Sequence, residues 1–245
     1  MRRILALAYG VASYLVFLAA FLYAVGFVGN LLVPKSVDSG RGGPAGTAAL
    51  IDCLLLALFA VPHSVMARPA FKRWWTKFVP PPIERSTYVL ISSISLIVLF
   101  WQWRPISAVF WRVDHPIGRW ILHGVFWLGW GIVLLSTFQI DHFDLFGLRQ
   151  VYLFASGRPY RSVEFKTPGL YRYVRHPLMT GFLIAFWAAP TMTAGHLLFA
   201  VATTAYILIA LQFEERDLER LYGEQYRAYR RTAGMLVPLP SREEP

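Results

Sequence analysis

The side chains best suited to chemistry lie in residues 171–181, which read YRYVRHPLMTG. Proline is favoured in the first helical turn, so Pro177 predicts a helix that begins there with free backbone N–H groups. Such a helix end binds anions, and the nearby Arg175 can hold a carboxylate through two parallel hydrogen bonds. Gly181 allows another backbone or a ligand to approach closely. The segment, with His176 at its centre, therefore predicts an anion site or, equally, a basic anchor at a membrane surface.

A second cluster is the acidic pair Glu214-Glu215, which follows a long apolar run. Adjacent helix positions do not share a face, so one carboxylate can point inward while the other meets solvent or pairs with arginine. An inward carboxylate can accept hydrogen bonds from the hydroxyl or ammonium groups of a ligand. The alternative is an acidic start to an amphipathic helix on the membrane surface. Residues 214–231 fit that alternative because four side chains recur at helical spacing, namely Leu218, Tyr222, Gln225 and Tyr229.

Two further stretches contain candidate bases. Two carboxylates flank an imidazole in the run Asp141, His142, Phe143, Asp144. A neighbouring carboxylate raises the basicity of histidine, so this run predicts a general base or, equally, a polar helix end. His63 is the other candidate, because a histidine at membrane depth usually faces the interior of a helix bundle. It is either a substrate-site residue or a packing histidine.

The elements that must position these residues are apolar helices. Hydrophobic residues make up 56% of the 245 residues and charged residues 16%, against about 45–50% and about 25% in average globular proteins. We predict an all-α, polytopic membrane bundle of five to six segments, in which the last two form a helical hairpin before a C-terminal interfacial amphipathic helix. The predicted segments are 4–33, 47–67, 86–103, 119–139, a short run over 176–189, and 195–213.

The whole chain is expected to form one membrane domain over residues 1–245. Residues 1–140 would supply four transmembrane helices, and residues 141–245 a cofactor-binding loop, the hairpin and the C-terminal helix. The distribution of positive charge predicts the orientation, because 19 of the 24 lysines and arginines fall on the side that holds both termini. The positive-inside rule places that side in the cytoplasm. Residues 171–181 and the acidic pair would then face the cytoplasm.

The net charge of +10 raises nucleic-acid binding as an alternative. Basic cytoplasmic loops beside anionic lipid explain that charge better, so we expect a lipid bilayer and no nucleic acid as partner. The six histidines divide between the two predicted faces, and no Glu-x-x-His pair occurs. The single cysteine excludes a thiolate cluster and an intrachain disulfide. We therefore expect no metal site.

The C-terminal third resembles the superfamily of isoprenylcysteine carboxyl methyltransferases and phospholipid methyltransferases, which are membrane enzymes. The resemblance covers roughly residues 163–240 and rests on two ordered motifs. The first runs from Gly169-Leu170-Tyr171 through Arg175-His176-Pro177 to Gly181, and the second from Glu214-Glu215 through Leu218, Tyr222-Gly223, Tyr226 and Tyr229 to Val237-Pro238 and Pro240. In that superfamily these parts form a cytoplasm-facing pocket for S-adenosylmethionine.

The resemblance implies the donor site residue by residue. Positions that match donor contacts in the superfamily are Phe165, Lys166, Tyr171, His176, Pro177 and Met179. Glu214 or Glu215 matches the acidic donor-binding position, and Arg175 and Gly181 belong to the same motif. The implied cofactor is S-adenosylmethionine, with S-adenosylhomocysteine as the product.

Softer motifs elsewhere resemble the NnrU-like branch of this superfamily, and within it the bacterial methanethiol S-methyltransferases. These motifs are HSVMAR at 63–68, ERSTY at 84–88, DHFDLFG at 141–147 and FKTPG at 165–169. The branch implies an enzyme of the bacterial inner membrane that methylates the sulfur of a small thiol, turning methanethiol into dimethyl sulfide. Because a thiol with a pKa of about 8.5 is mostly protonated at neutral pH, His142, Asp141, Asp144 and His63 are the expected catalytic candidates.

One difference from the superfamily motif narrows the choice of acceptor substrate. Prenyl-protein methyltransferases carry a substrate-binding arginine just before the paired glutamates, where this chain has Leu211-Gln212-Phe213. That argues against a prenylcysteine carboxylate. Two alternatives stay open: a methyltransferase for a phospholipid or another alkyl thiol, and a non-enzymatic NnrU-like transporter or haem/metal accessory protein. Paired halves, which transporters often contain, are not seen in the sequence.

Overall fold

The computed structural model describes residues 1–161 and 164–239 of the chain. Five of its helices are long and apolar enough to cross a membrane, which confirms the prediction of a polytopic helical bundle. The helices are α1 (Arg2–Gly29), α2 (Ala45–Ala67), α3 (Pro69–Trp75), α4 (Pro81–Gln102), α5 (Pro116–Ile140), α6 (His142–Leu145), α7 (Leu148–Ala155), α8 (Pro177–Trp187), α9 (Ala194–Tyr222) and α10 (Glu224–Thr232). Two short antiparallel strands, β1 (Val109–Arg112) and β2 (Thr191–Thr193), and a 3-10 turn at Gly169–Arg172 complete it.

Helix α2 shows how these segments suit a membrane. Its exposed side chains form an apolar stripe at helical spacing, made of Leu50, Leu54, Leu58, Val61 and Val65. A stripe of that kind is out of place in water and suits contact with lipid chains. The opposite side of α2 is the buried one and carries the fully buried Asp52.

Helix α8 is the short segment whose extent the sequence left open. It has 11 residues, or about 16 Å at 1.5 Å per residue, against a hydrocarbon core of about 30 Å. It is therefore too short to cross a membrane, and the bundle has five full-length segments. Close packing holds α8 against α5: a Cβ atom at Gly181 would lie 2.6 Å from the carbonyl oxygen of Gly129.

Prolines begin four of the helices. Pro69, Pro81, Pro116 and Pro177 stand in the first turns of α3, α4, α5 and α8. Proline tolerates this position because the first backbone N–H groups of a helix have no intrahelical partner. The predicted starts of α4 and α5, at residues 86 and 119, were too late because the proline-containing residues just before them were assigned to loops.

The C-terminal boundary also differs from the prediction. Residues 214–222 continue α9, and the separate short helix α10 begins at Glu224. Gly223, with a φ of +56°, divides the two helices, because glycine adopts that left-handed region at low cost. The acidic side chains at 214 and 215 do not stop α9, since neither carries the backbone restriction of proline.

The chain packs as two compact units that interleave along the sequence. The first contains α1, α2, α3, α4, α6, α7, both strands and the beginning of α9. In it α1 packs on α4 and α7, and α2 packs on α4. An aromatic cluster lies in this unit, with Tyr88, Phe17 and Phe146 among its members. The second unit contains α5, α8, the rest of α9 and α10, and α5 packs along α8.

Candidate functional site

A buried charge cluster in the second unit joins the two motifs of the C-terminal third. Arg175 Nε donates a hydrogen bond of 2.6 Å to Glu215 Oε1, and His176 Nε2 lies 3.2 Å from the same oxygen. The side chains of Arg175, His176 and Glu215 are only 9%, 7% and 8% exposed. Arg230 Nε lies 3.6 Å from the second carboxylate oxygen. Buried charges are retained where they are paired in this way.

Backbone pairing with the C-terminal segment fixes the position of Arg175 and His176. Their N–H groups donate to the carbonyls of Gly234 at 2.7 Å and Met235 at 3.1 Å. The Arg175 guanidinium also donates to the carbonyl of Ala233. Thr180, in the first turn of α8, donates to the carbonyl of Leu236 at 2.7 Å. The residues before α8 are thus held from both sides, by α9 and by residues 233–236.

An aromatic group lies in the same unit. The ring of Phe165 is 4.9 Å from Tyr222, 6.1 Å from Tyr226 and 5.6 Å from Tyr229, measured between centroids. The Tyr229 hydroxyl donates to the carbonyl of Tyr171. The Tyr226 side chain is almost fully buried, and its hydroxyl has no hydrogen-bond partner among the described residues. A buried hydroxyl in that state is costly and suits a ligand that completes its hydrogen bonding.

The phenols of this group are held in their protonated form. Burial raises the pKa of Tyr229 to about 12. Burial also raises the pKa of Tyr171, with the charge of Glu214 adding to the effect. The pKa of Tyr226 is raised by burial and then by the charge of Glu215. All three hydroxyls therefore remain hydrogen-bond donors at neutral pH.

The structure distinguishes the two adjacent glutamates. Glu215 is the inward residue, and it is the one that pairs with arginine. Glu214 is partly exposed and makes no hydrogen bond or ion pair with any residue that the structure describes. Its charge is still felt by Tyr171 and Tyr226. Glu214 is accordingly the carboxylate whose oxygens are available to a ligand.

The remaining residues that the sequence predicts for the donor site differ in their surroundings. Pro177 is buried at the start of α8, and Met179 is partly buried in its first turn. Lys166 is exposed. Gly181 has a packing role, because a Cβ atom there would lie 2.6 Å from the Gly129 carbonyl. The sequence allowed either another backbone or a ligand to approach Gly181, and the structure shows the backbone of α5 there.

His142 lies in the first unit and is buried. Its Nε2 atom is 2.8 Å from the Tyr14 hydroxyl, and its ring packs edge-on to Phe146 at 4.9 Å. Asp144 has other partners: its carboxylate lies 3.2 Å from the Arg149 guanidinium and accepts a hydrogen bond of 3.3 Å from Tyr160. Asp141 is partly buried at the end of α5.

His63 is also a residue of the first unit, where Tyr88 and Ser92 surround it. The Tyr88 hydroxyl lies 2.9 Å from His63 Nε2, and the Ser92 hydroxyl lies 3.0 Å from Nδ1. Tyr88 and Phe146 belong to the same aromatic cluster, so His63 and His142 both border it. Within residues 1–161 and 164–239, no three histidine, cysteine, aspartate or glutamate side chains converge as a metal site.

Three contacts were missed from the sequence, two in the second unit and one in the first. They are the pairing of residues 233–236 with the residues before α8, the hydrogen bond from Tyr229 to Tyr171, and the Tyr14 hydroxyl beside His142. The first is a single parallel bridge and leaves no periodic pattern. Tyr14 is 128 residues from His142, and nothing in its helical segment sets it apart from other interfacial aromatics.

Known proteins resemble the chain along nearly its full length. The family model "Phospholipid methyltransferase" matches residues 120–225. The chain is 60% identical to the methanethiol S-methyltransferase of Mycobacterium tuberculosis over 99% of both chains. It is 54% identical to that of Crocosphaera subtropica, over 97% of this chain and 93% of the relative. Mouse Nurim is 30% identical over 72% of this chain and 70% of that protein. No solved structure is significantly similar.

The similarities extend over both units and include the whole of the buried Arg175–His176–Glu215 cluster. Together with the five apolar helices, they make the chain a multi-pass membrane protein and confirm the resemblance inferred from the two C-terminal motifs. The chain belongs to the methanethiol S-methyltransferase family of membrane methyltransferases.

Proposed function

We propose that this chain transfers a methyl group from S-adenosylmethionine to the sulfur of methanethiol, forming dimethyl sulfide and S-adenosylhomocysteine. The observation that carries the proposal is 60% identity to a methanethiol S-methyltransferase over 99% of both chains. At that coverage residues 1–245 would act as one methyltransferase domain. A thiol acceptor also agrees with Leu211-Gln212-Phe213, where no arginine stands to bind a prenylcysteine carboxylate.

The residues of the second unit fit the methyl donor. Phe165 and the tyrosines around it offer faces for an adenine ring, and aromatic faces also attract cations such as a sulfonium. The buried Tyr226 hydroxyl and the available Glu214 carboxylate suit the ribose hydroxyls and the ammonium group. The free N–H groups at the start of α8 suit the donor's carboxylate. Lys166 and Met179 are the further proposed contacts.

Arg175, His176 and Glu215 have a different task in this proposal. The bonds of Arg175 and His176 to Glu215 use one carboxylate oxygen, and Arg175 also reaches the carbonyl of Ala233. We assign them the role of holding the start of α8 against α9, so that the donor meets a preformed site. Their loss would weaken donor binding through a change in shape.

Methyl transfer needs a thiolate and a site that excludes water. When bound, the donor supplies an electrophilic methyl group on a positively charged sulfur. The thiolate sulfur forms a bond to that carbon as the bond to the donor sulfur breaks, so both charges disappear. Excluding water favours such a step. The separated charges of the reactants are destabilised when they lose their hydration, whereas the transition state carries less charge and is destabilised less. We propose His142 as the group that removes the thiol proton, with Asp141, Asp144 and His63 as alternatives.

The orientation is part of the proposal. With 19 of 24 lysines and arginines on the side of both termini, that side would face the cytoplasm of a bacterial inner membrane. The donor-binding residues would then be open to cytoplasmic S-adenosylmethionine.

Two measurements on the purified full chain in detergent test the function. Calorimetry should detect binding of S-adenosylhomocysteine, and headspace gas chromatography should detect dimethyl sulfide from methanethiol and the donor. Ethanethiol and a phosphatidylethanolamine serve as comparison acceptors. Binding without dimethyl sulfide, but with methylation of another acceptor, would keep the enzyme class and remove methanethiol. No binding and no product would favour a non-enzymatic protein.

A further inference from the structure

The predicted outer face has few positive charges, and most of them lie around one cavity. Only five of the 24 lysines and arginines belong to that face, and three of them, Lys35, Arg41 and Arg104, line one cavity. The cavity lies in the first unit and has a volume of about 470 Å³. This volume falls within the range of about 300–1,000 Å³ that is usual for ligand pockets.

The cations of the cavity are incompletely neutralised. The backbone N–H of Arg104 donates to Asp52 Oδ1 at 2.8 Å, while its side-chain Nε is buried without a partner among the described residues. The exposed Arg41 side chain makes no hydrogen bond or ion pair within the described part of the chain. Lys35 donates to the carbonyl of Trp101. Among the described residues, the fully buried Asp52 is the one carboxylate whose charge acts on Lys35, so positive charge exceeds negative charge here.

Crowding of like charge is visible in Lys35. Burial, followed by repulsion from Arg104, lowers the pKa of the Lys35 ammonium, and Asp52 only partly opposes this. An anion in the cavity would relieve the repulsion, because an opposite charge within a few ångströms favours the charged form. The lining therefore favours a negatively charged ligand over a neutral one.

The cavity lies where the apolar helices end. Lys35 and Arg41 belong to the loop between the end of α1 at Gly29 and the start of α2 at Ala45. Arg104 lies two residues after the end of α4 at Gln102. Trp101, at its rim, is 71% exposed. Exposed tryptophan is typical of the depth at which lipid headgroups lie. Arginine and lysine side chains gathered at headgroup depth attract the phosphate oxygens of lipids.

We propose that this cavity is a phosphate-binding site that takes the headgroup phosphate of an anionic phospholipid. The two arginines contribute forked donors that match phosphate oxygens, and the lysine contributes a compact positive charge. A bound lipid would tie the loop between α1 and α2 to the end of α4. The site is separate from the residues proposed for methyl transfer and does not depend on their assignment.

Native mass spectrometry of the full chain in detergent, titrated with phosphatidylglycerol, tests the site. Arg41→Gln should bind the lipid more weakly, and the double variant Arg41→Gln/Arg104→Gln should bind it about tenfold more weakly or worse, equivalent to about 1.4 kcal/mol. Arg104→Lys should retain most of the binding. Arg112→Gln removes a cation of the same predicted face outside the cavity and should leave binding unchanged. Arg41 is exposed, so its single variant should fold normally.

Each outcome decides the proposal. Equal binding by the wild type and the double variant would overturn the site. An equal loss in Arg112→Gln would overturn it too, because diffuse surface charge would then explain the binding. Inorganic phosphate and phosphatidylcholine separate the possible sources: if free phosphate displaces phosphatidylglycerol at equal concentration, the ligand is phosphate itself and the lipid assignment is wrong. Preference for phosphatidylglycerol over both supports the lipid headgroup.

Discussion

Removing the carboxylate of Glu215 should lower the free energy of unfolding of the protein. The size of the loss depends on the groups that surround this carboxylate. Glu215→Ala would leave the Arg175 guanidinium, only 9% exposed, without the oxygen that lies 2.6 Å from its Nε. Breaking a buried ion pair from one side typically costs about 3–5 kcal/mol, because the remaining charge stays buried and unpaired. Arg175 keeps its bond to the Ala233 carbonyl, and we therefore expect a loss near the lower end, about 3 kcal/mol.

Glu214→Ala is the matched control. It removes the same carboxylate one position earlier on α9, where the side chain is partly exposed and makes no ion pair with described residues. Substitutions of that kind usually change stability by less than about 0.5 kcal/mol. We expect Glu214→Ala to weaken binding of S-adenosylhomocysteine about tenfold, or about 1.4 kcal/mol, with stability unchanged. Glu215→Ala and His176→Ala should weaken donor binding at least as much, with a loss of stability.

Denaturant unfolding in detergent, followed by tryptophan fluorescence, gives the free energies, and calorimetry gives the affinities. The double variant Arg175→Met/Glu215→Ala should be more stable than the sum of its single variants predicts, by about 0.5–3 kcal/mol, since it leaves no unpaired charge. A loss below about 1 kcal/mol for Glu215→Ala would refute the reasoning, because a fully hydrated pair costs that little. Unchanged affinity in folded His176→Ala and Glu215→Ala would remove the positioning role assigned to this cluster.

Three further predictions concern the base, the orientation and the tyrosines. If His142 removes the thiol proton, His142→Ala should lower the rate of dimethyl sulfide formation roughly 10²–10⁴-fold. Donor binding should stay intact, and the loss of rate should shrink as pH approaches the thiol pKa. Full activity in this variant and in the Ala variants at 63, 141 and 144 would remove the base assignment. In a Cys53→Ala background, Gly43→Cys should react with an impermeant maleimide on intact cells, and Ser156→Cys only after permeabilisation; the reverse would invert the topology. The pKa of Tyr229 is raised to about 12, so its stabilising contribution is complete below the unfolded pKa of about 10 and is lost as pH rises from about 10 to about 12. Tyr229→Phe should make the unfolding temperature fall less steeply over this pH range. An unchanged slope would contradict this prediction.

The sequence predicted the features that depend on local pattern. Five apolar runs became five long helices, and Pro177 begins α8 as its position indicated. The sequence could not decide which of Glu214 and Glu215 points inward, because the two residues are adjacent in the chain and only the surrounding packing distinguishes them. The pairing of residues 233–236 with those before α8 was also hidden, since one bridge between distant segments leaves no repeating pattern.

The length of α8 follows from the need to bring His176 to Glu215. From Ala194 to Glu215, α9 rises about 32 Å at 1.5 Å per residue, whereas the 11 residues of α8 rise only about 16 Å. The six residues between the two helices, 188–193, make the connection, and the last three of them form β2. The backbone of this connection is hydrogen-bonded: β2 pairs with β1, and the Pro190 carbonyl accepts from the N–H of Val113. Pro190, which has no N–H to satisfy, stands in this stretch. The gap between the predicted segments 176–189 and 195–213 is therefore the connection between the short helix α8 and the long helix α9.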